Sequence, residues 1–131
     1  MFRIGAWLLI VTCILHLTLF AIEAGPFLAG WLGGLFWTME HWQPLTQQSE
    51  AMILNGMAFW LWPGSLALPT LLLGLLLLWL DRRGQLLPRF PVVILALWAL
   101  LLTAIMPNSG FPLVLIASGL MLLGKPRRGW A

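Results

Sequence analysis

Apolar residues in this chain come in long unbroken runs, not in the stripes of a soluble amphipathic helix. The runs are Ile4–Ile22, Ala51–Leu80, Phe90–Met106 and Phe111–Gly124. Runs of this length predict helices that cross a bilayer, whose hydrocarbon core of about 30 Å needs about 20 apolar residues. The expected fold is all-α: a polytopic bundle of four transmembrane helices in a single domain, residues 1–131. Its spans fall at about residues 4–22, 59–80, 90–106 and 111–124, with an extracytoplasmic loop over about 23–50.

The punctuation between and within the runs refines this. The first run follows Arg3 and is closed by Glu23. A signal peptide competes for the same stretch, but the apolar core is too long and Ile22-Glu23-Ala24 offers no small-x-small cleavage site, so the expectation is an uncleaved span. The second run exceeds one straight crossing and contains Pro63-Gly64 and Pro69. Each proline removes a backbone donor and crowds the preceding turn, which predicts a break near Pro63-Gly64, extending as far as Pro69. Residues 51–58 would then extend outward from the span. The third and fourth runs are separated only by Pro107-Asn108-Ser109-Gly110, which makes them antiparallel neighbours. They should pack through small residues: Ala96, Ala99 and Thr103 against Ala117 and Ser118.

Composition narrows the class. The 131 residues are 61% hydrophobic and 8% charged, with a mean hydropathy of +0.96. So few charges cannot cover a water-facing surface, and so apolar a chain is not disordered. The formal charge is +3. The basic residues flank the apolar runs, so they read as topology determinants and not as a nucleic-acid surface. Arg3 precedes the first span, Arg82, Arg83 and Arg89 join the second and third, and Lys125, Arg127 and Arg128 follow the fourth. Four spans put all of them on one side and Glu23, Glu40 and Glu50 on the other. By the positive-inside rule both termini are cytoplasmic. The one cysteine, Cys13, lies within the first run and reads as a packing residue.

Residues 25–49 are unusual for a loop: Phe27, Trp31, Phe36, Trp37 and Trp42 alternate with Gly30, Gly33 and Gly34. Tryptophan favours the headgroup zone, so this stretch is expected at the outer leaflet, as an interfacial helix, a re-entrant element or a loop.

Candidate chemistry collects on that same outer side. His16 is the one ionisable group well inside a span, where such groups turn inward or toward a wet cavity. Glu23 lies two turns beyond it, and Asn55 starts the second helix near the same level. Together they outline an expected outward-opening polar pocket. Glu40 and His41 lie on the aromatic loop, and Asn108 caps the outer turn of the last hairpin. His16, Glu23, Glu40, His41, Asn55 and Asn108 are thus the candidate ligand-binding residues. No metal site is expected, since the two histidines lack any ligand spacing.

Three stretches together resemble a known family: a first span carrying His16, the turn Leu80-Asp81-Arg82-Arg83-Gly84 continuing to Leu87-Pro88-Arg89, and the turn Met106-Pro107-Asn108-Ser109-Gly110-Phe111. They resemble a family of small bacterial four-helix membrane proteins whose function is not established. In architecture alone the chain is also similar to DoxX-like membrane proteins, some of which are subunits of quinone-linked redox systems. The resemblance implies topology and a bacterial inner membrane; it supplies no catalytic residues.

Three classes of function stay open at this point. One is a purely structural or assembly subunit whose interface is with other membrane chains. Another is a non-enzymatic protein binding a lipophilic small molecule, a membrane-protein partner or a second copy through the outer pocket. The third is a haem- or quinone-linked redox subunit or enzyme using His16 with Glu23 or Glu40, since imidazole and carboxylate together can move protons.

Overall fold

The computed structural model describes residues 1–131. The chain is all-helical. Its helices are α1 (Phe2–Ala24), the five-residue α2 (Leu28–Leu32), α3 (Glu50–Leu61), α4 (Ala67–Arg82), α5 (Phe90–Ile105) and α6 (Phe111–Leu123). Short 3-10 turns cover Gly25–Phe27, Leu35–Trp37, Met39–Trp42 and Leu45–Gln47. There is no strand, only an isolated parallel bridge between Leu87 and Trp130. One helical stretch, Phe2–Leu32, is long and apolar enough to cross a membrane, a test that a signal sequence also passes. α5 and α6 are apolar but shorter.

The second apolar run breaks where its prolines predict. α3 stops at Leu61 and α4 begins at Ala67. Pro63 has no N–H to give the ladder. Around it the Trp62 amide is shared between the Ala58 and Phe59 carbonyls, and the Gly64 amide reaches back to Phe59 at 2.9 Å. The Ser65 hydroxyl donates to the Trp62 carbonyl at 2.8 Å. Pro69 causes no second break. It lies in the first turn of α4, where a missing N–H would have no intrahelical acceptor anyway. The segment 59–80 is therefore not one helix: it holds the last turn of α3, the break, and most of α4.

The chain forms two compact units. The first comprises residues 1–15 and 68–131. Its core is built from Phe2, Ala6, Leu9 and Ile10 of α1, Leu77 and Leu78 of α4, Val92, Leu95 and Ala99 of α5, and Val114, Ala117 and Met121 of α6, with Leu87. Glycines let the backbones meet. A Cβ on Gly5 would stand 2.5 Å from the Ala117 carbonyl oxygen, and one on Gly124 would collide with the backbone of Phe2. Small residues at a helix interface permit this close approach of backbones. α5 and α6 form a hairpin whose turn is fixed by Ser109, which donates to the Met106 carbonyl at 2.6 Å and accepts from the Phe111 amide at 3.3 Å. Of the small residues expected in that interface, Ala99, Ala117 and Ser118 are fully buried, while Ala96 and Thr103 are partly so.

The outer faces of these helices are apolar as well. Leu72, Leu76 and Trp79 on α4, and Ile94, Leu97, Leu101 and Ile105 on α5, are all exposed.

One end of this unit gathers residues from distant parts of the sequence. The Asp81 carboxylate is buried and accepts a 2.7 Å hydrogen bond from Arg3 Nε and another from the Arg127 amide. Nearby, Phe2 and Trp130 meet edge to face at 5.5 Å. The Leu87 amide donates to Gly129, and the Ala131 amide donates to Leu87. Arg3, the end of α4 with the turn after it, and the segment after α6 thus share one end, and every Lys and Arg of the chain lies in them.

The second unit, residues 16–67, holds the last part of α1, α2, the aromatic turns, α3 and the break. It carries Glu23, Glu40 and Glu50 and no basic residue except two histidines.

Candidate functional site

The second unit contains five of the six residues singled out by sequence. His16, half-buried, places its Nε2 at 2.9 Å from the Leu61 carbonyl oxygen. A carbonyl can only accept, so Nε2 carries the hydrogen. The acceptor is available because of the helix break. In a continued helix the Leu61 carbonyl would take the Ser65 amide, but that amide turns to Trp62 instead. The His16 ring also packs on Phe20, with ring centres 4.5 Å apart.

Glu23 is exposed, about 10 Å further along α1 at 1.5 Å per residue, and the His16 bond goes to backbone instead. Asn55 donates to the Ala51 carbonyl of its own helix at 2.9 Å. Its other side-chain atom, Oδ1, faces Gly30, where an added Cβ would lie 3.4 Å away. Glu40 accepts the Ser49 amide at 2.8 Å. Ser49 is the N-cap of α3, its hydroxyl accepting from Met52. These hydrogen bonds from Ser49 hold the Glu40 carboxyl below its ordinary value. Glu40 thus fastens the aromatic loop to the start of α3, as capping chemistry does elsewhere. His41 lies between Phe36, at 4.9 Å, and Trp42, at 5.4 Å, and its carbonyl accepts from Gln48. Asn108 belongs to the other unit, exposed in the α5–α6 turn, where Ser109 does the capping.

Residues 25–49, whose form the sequence left open, fold as α2 and a series of 3-10 turns. Two of their aromatic residues, Trp31 and Phe36, gather on the end of α3. Trp31 meets Phe59 edge to face at 5.7 Å and lies 6.3 Å from both Phe36 and Trp62; Phe36 meets Phe59 at 5.3 Å. At the centre of this cluster the Trp31 indole N–H is buried and has no acceptor. Trp37 and Trp42 stand largely exposed.

Sequence reasoning missed two things. One is the Trp31 N–H, visible only as an aromatic stretch. The other is Asp81, hidden among arginines. Burial pushes the Asp81 carboxyl up, but the Arg127 amide bond, the Arg3 bond and both positive charges outweigh it and leave it below the ordinary aspartate value. The one available signal was that Asp81 is the only acid on the side where the basic residues lie.

The His16–carboxylate pair needed for proton transfer is not assembled here: His16 holds a backbone carbonyl and Glu40 a backbone amide. What the unit offers is an aromatic cluster with one unused donor.

The chain belongs to the family of unknown function DUF6463, whose model matches residues 1–128. That agrees with the resemblance drawn from the first span and the two turns to a family of unestablished function. No curated protein and no solved structure matches the chain.

Proposed function

We propose that this is a small multi-pass protein of the bacterial inner membrane, both termini cytoplasmic, that binds a lipophilic molecule or membrane partner from the outer leaflet through residues 16–67. The membrane part of this reading is supported by α4 and α5 being apolar on both faces. Leu77, Leu78, Val92, Leu95 and Ala99 are buried in the core, while Leu72, Leu76, Trp79, Ile94, Leu97, Leu101 and Ile105 face outward. Such surfaces are tolerated in lipid and not in water. The helices are short: 16 residues in α4 and α5 and 13 in α6. Snorkelling arginine and lysine at their ends and local thinning accommodate that mismatch. Charge supports the orientation: the first unit carries seven basic residues and one acid, a net of +6, and the second three acids, a net of −3.

The binding part rests on one observation, the buried Trp31 N–H without an acceptor. An unpaired buried donor costs about 1–3 kcal/mol, and native proteins rarely keep one without a use. An acceptor oxygen on an apolar molecule would satisfy that donor, and its apolar body would suit the rings around it.

A reporter fused after Ala131 should behave as cytoplasmic; activity in the periplasm overturns the topology. Protein purified in mild detergent should release an apolar, oxygen-bearing molecule on solvent extraction, detected by mass spectrometry. Trp31→Phe, which keeps the ring and removes the donor, should release much less. Equal release from both proteins overturns the binding site.

A further inference from the structure

A groove of about 290 Å³ lies on the first unit, walled by Trp7 of α1 and Leu75, Leu78 and Trp79 of α4, with Arg82 at one end. Leu78 is only 5% exposed and forms the floor, while the two tryptophans stand open to the outside. The Arg83 guanidinium lies 5.2 Å from the centre of the Trp79 ring, so a second cation borders the same wall. Neither Arg82 nor Arg83 has a carboxylate. Asp81, the one acid of this unit, is already taken by Arg3 and the Arg127 amide.

We propose that this groove binds an anionic glycerophospholipid of the cytoplasmic leaflet. The acyl chain would lie along Leu75 and Leu78 between the tryptophans, and the phosphate would meet Arg82 and Arg83. The occupant follows from the order of the chemistry along α4. Apolar wall comes first, then an indole at the headgroup level, then two unpaired guanidiniums, which is the order of chain, glycerol and phosphate in a lipid. A neutral apolar partner would leave both guanidiniums unused, and a soluble anion would leave the apolar walls unused. Guanidinium also matches the paired oxygens of a phosphodiester better than ammonium does. The proposal rests on the membrane reading above, but on none of the residues of the outer site.

The test uses the full chain in nanodiscs of mixed phosphatidylglycerol and phosphatidylcholine, released for native mass spectrometry. The wild type should retain phosphatidylglycerol over phosphatidylcholine. Arg82→Gln should lower that retention about fivefold, the effect of one basic residue near an anionic surface. Leu75→Trp, which fills the groove without changing charge, should lower it by at least as much. Lys125→Gln, at the same charged end but outside the groove, should leave it intact. Equal retention of the two lipids by the wild type overturns the proposal, as does an equal loss from Lys125→Gln, which would mark a diffuse charge effect. A dimer that Leu75→Trp abolishes also overturns it by giving the groove to a second copy. Alkaline carbonate washing of native membranes keeps the two readings apart. Release into the supernatant overturns the membrane reading and the groove together, whereas retention in the pellet without a lipid preference overturns the groove alone.

Discussion

His16 donates its Nε2 hydrogen to the carbonyl of Leu61, the residue at which α3 ends, across 2.9 Å. The side chain that is costliest to bury in the first apolar run thus satisfies the backbone group that the proline break sets free. Each explains the other: an imidazole needs a partner in apolar surroundings, and so does a helix-terminal carbonyl.

Replacing His16 with alanine should therefore lower thermal stability. An intramolecular hydrogen bond contributes about 0.5–1.5 kcal/mol net, and His16→Ala should fall in that range in thermal unfolding. His16→Gln, which keeps a donor, should recover part of it. No change in midpoint for His16→Ala would show that the bond contributes nothing.

Pro63→Ala restores an amide to the break. It should raise the helical signal in far-ultraviolet circular dichroism and weaken the His16 bond, because a longer α3 competes for the same carbonyls. The double variant His16→Ala/Pro63→Ala should then cost less than the sum of the two single changes. Strict additivity would argue that the histidine and the break are unrelated.

Asp81→Asn removes the charge that Arg3 and the Arg127 amide share. Hydrogen bonds to a charged group contribute about 1.5–3 kcal/mol, and the loss should lie at the low end because Arg3 is largely exposed. Limited proteolysis after Arg127 and Arg128 should accelerate in the variant as the end of the chain comes loose. Unchanged cleavage would mean that the tail is held by Trp130 and Leu87 alone.

The pH dependence has a definite sign. The Asp81 and Glu40 carboxyls are both held below their ordinary values. Their contribution is fully present above the unfolded-state carboxylate range, at about 4, and is lost as pH falls through the lower folded values. Stability should be flat from neutrality down to that range and then decline. The decline should be shallower in Asp81→Asn, as measured by thermal melts across an acid series.

Gly5→Ala should be costly although it adds a single methyl. Its Cβ would press on the Ala117 carbonyl and on the Met121 amide at 2.8 Å, both backbone atoms that cannot swing away. Overpacking of this kind costs about 1–3 kcal/mol. Gly56→Ala, inside α3 with open space around it, should instead raise stability by about 0.5–1 kcal/mol in the same melts.

How far the sequence reads depends on whether a feature is local. The break at Pro63 and the hairpin turn at Ser109 follow from residues within a few positions, and both stand where the sequence predicts. The absence of a second break at Pro69 depends on where α4 begins, which the leucine run does not mark. His16 was conspicuous as a polar group among apolar ones, but its partner is a backbone carbonyl 45 residues away, and every residue carries one of those. Asp81 was obscured for a different reason. Its neighbours Arg82 and Arg83 read as orientation signals, and its true partners, Arg3 and Arg127, are 78 and 46 positions distant. The aromatic loop announced its composition but not its shape, because 3-10 turns have no strong period of their own.

The meeting of Phe2 with Trp130 also sets a timetable. Synthesis proceeds at about 5–20 residues per second, so the first helix leaves the ribosome roughly ten seconds before the tail that closes over it. Throughout that interval the Gly5 face of α1 lacks the α6 backbone against which it finally rests. Until then α1 presents an uncovered Gly5 face to any other apolar helix it meets. Docking of α6 ends that exposure.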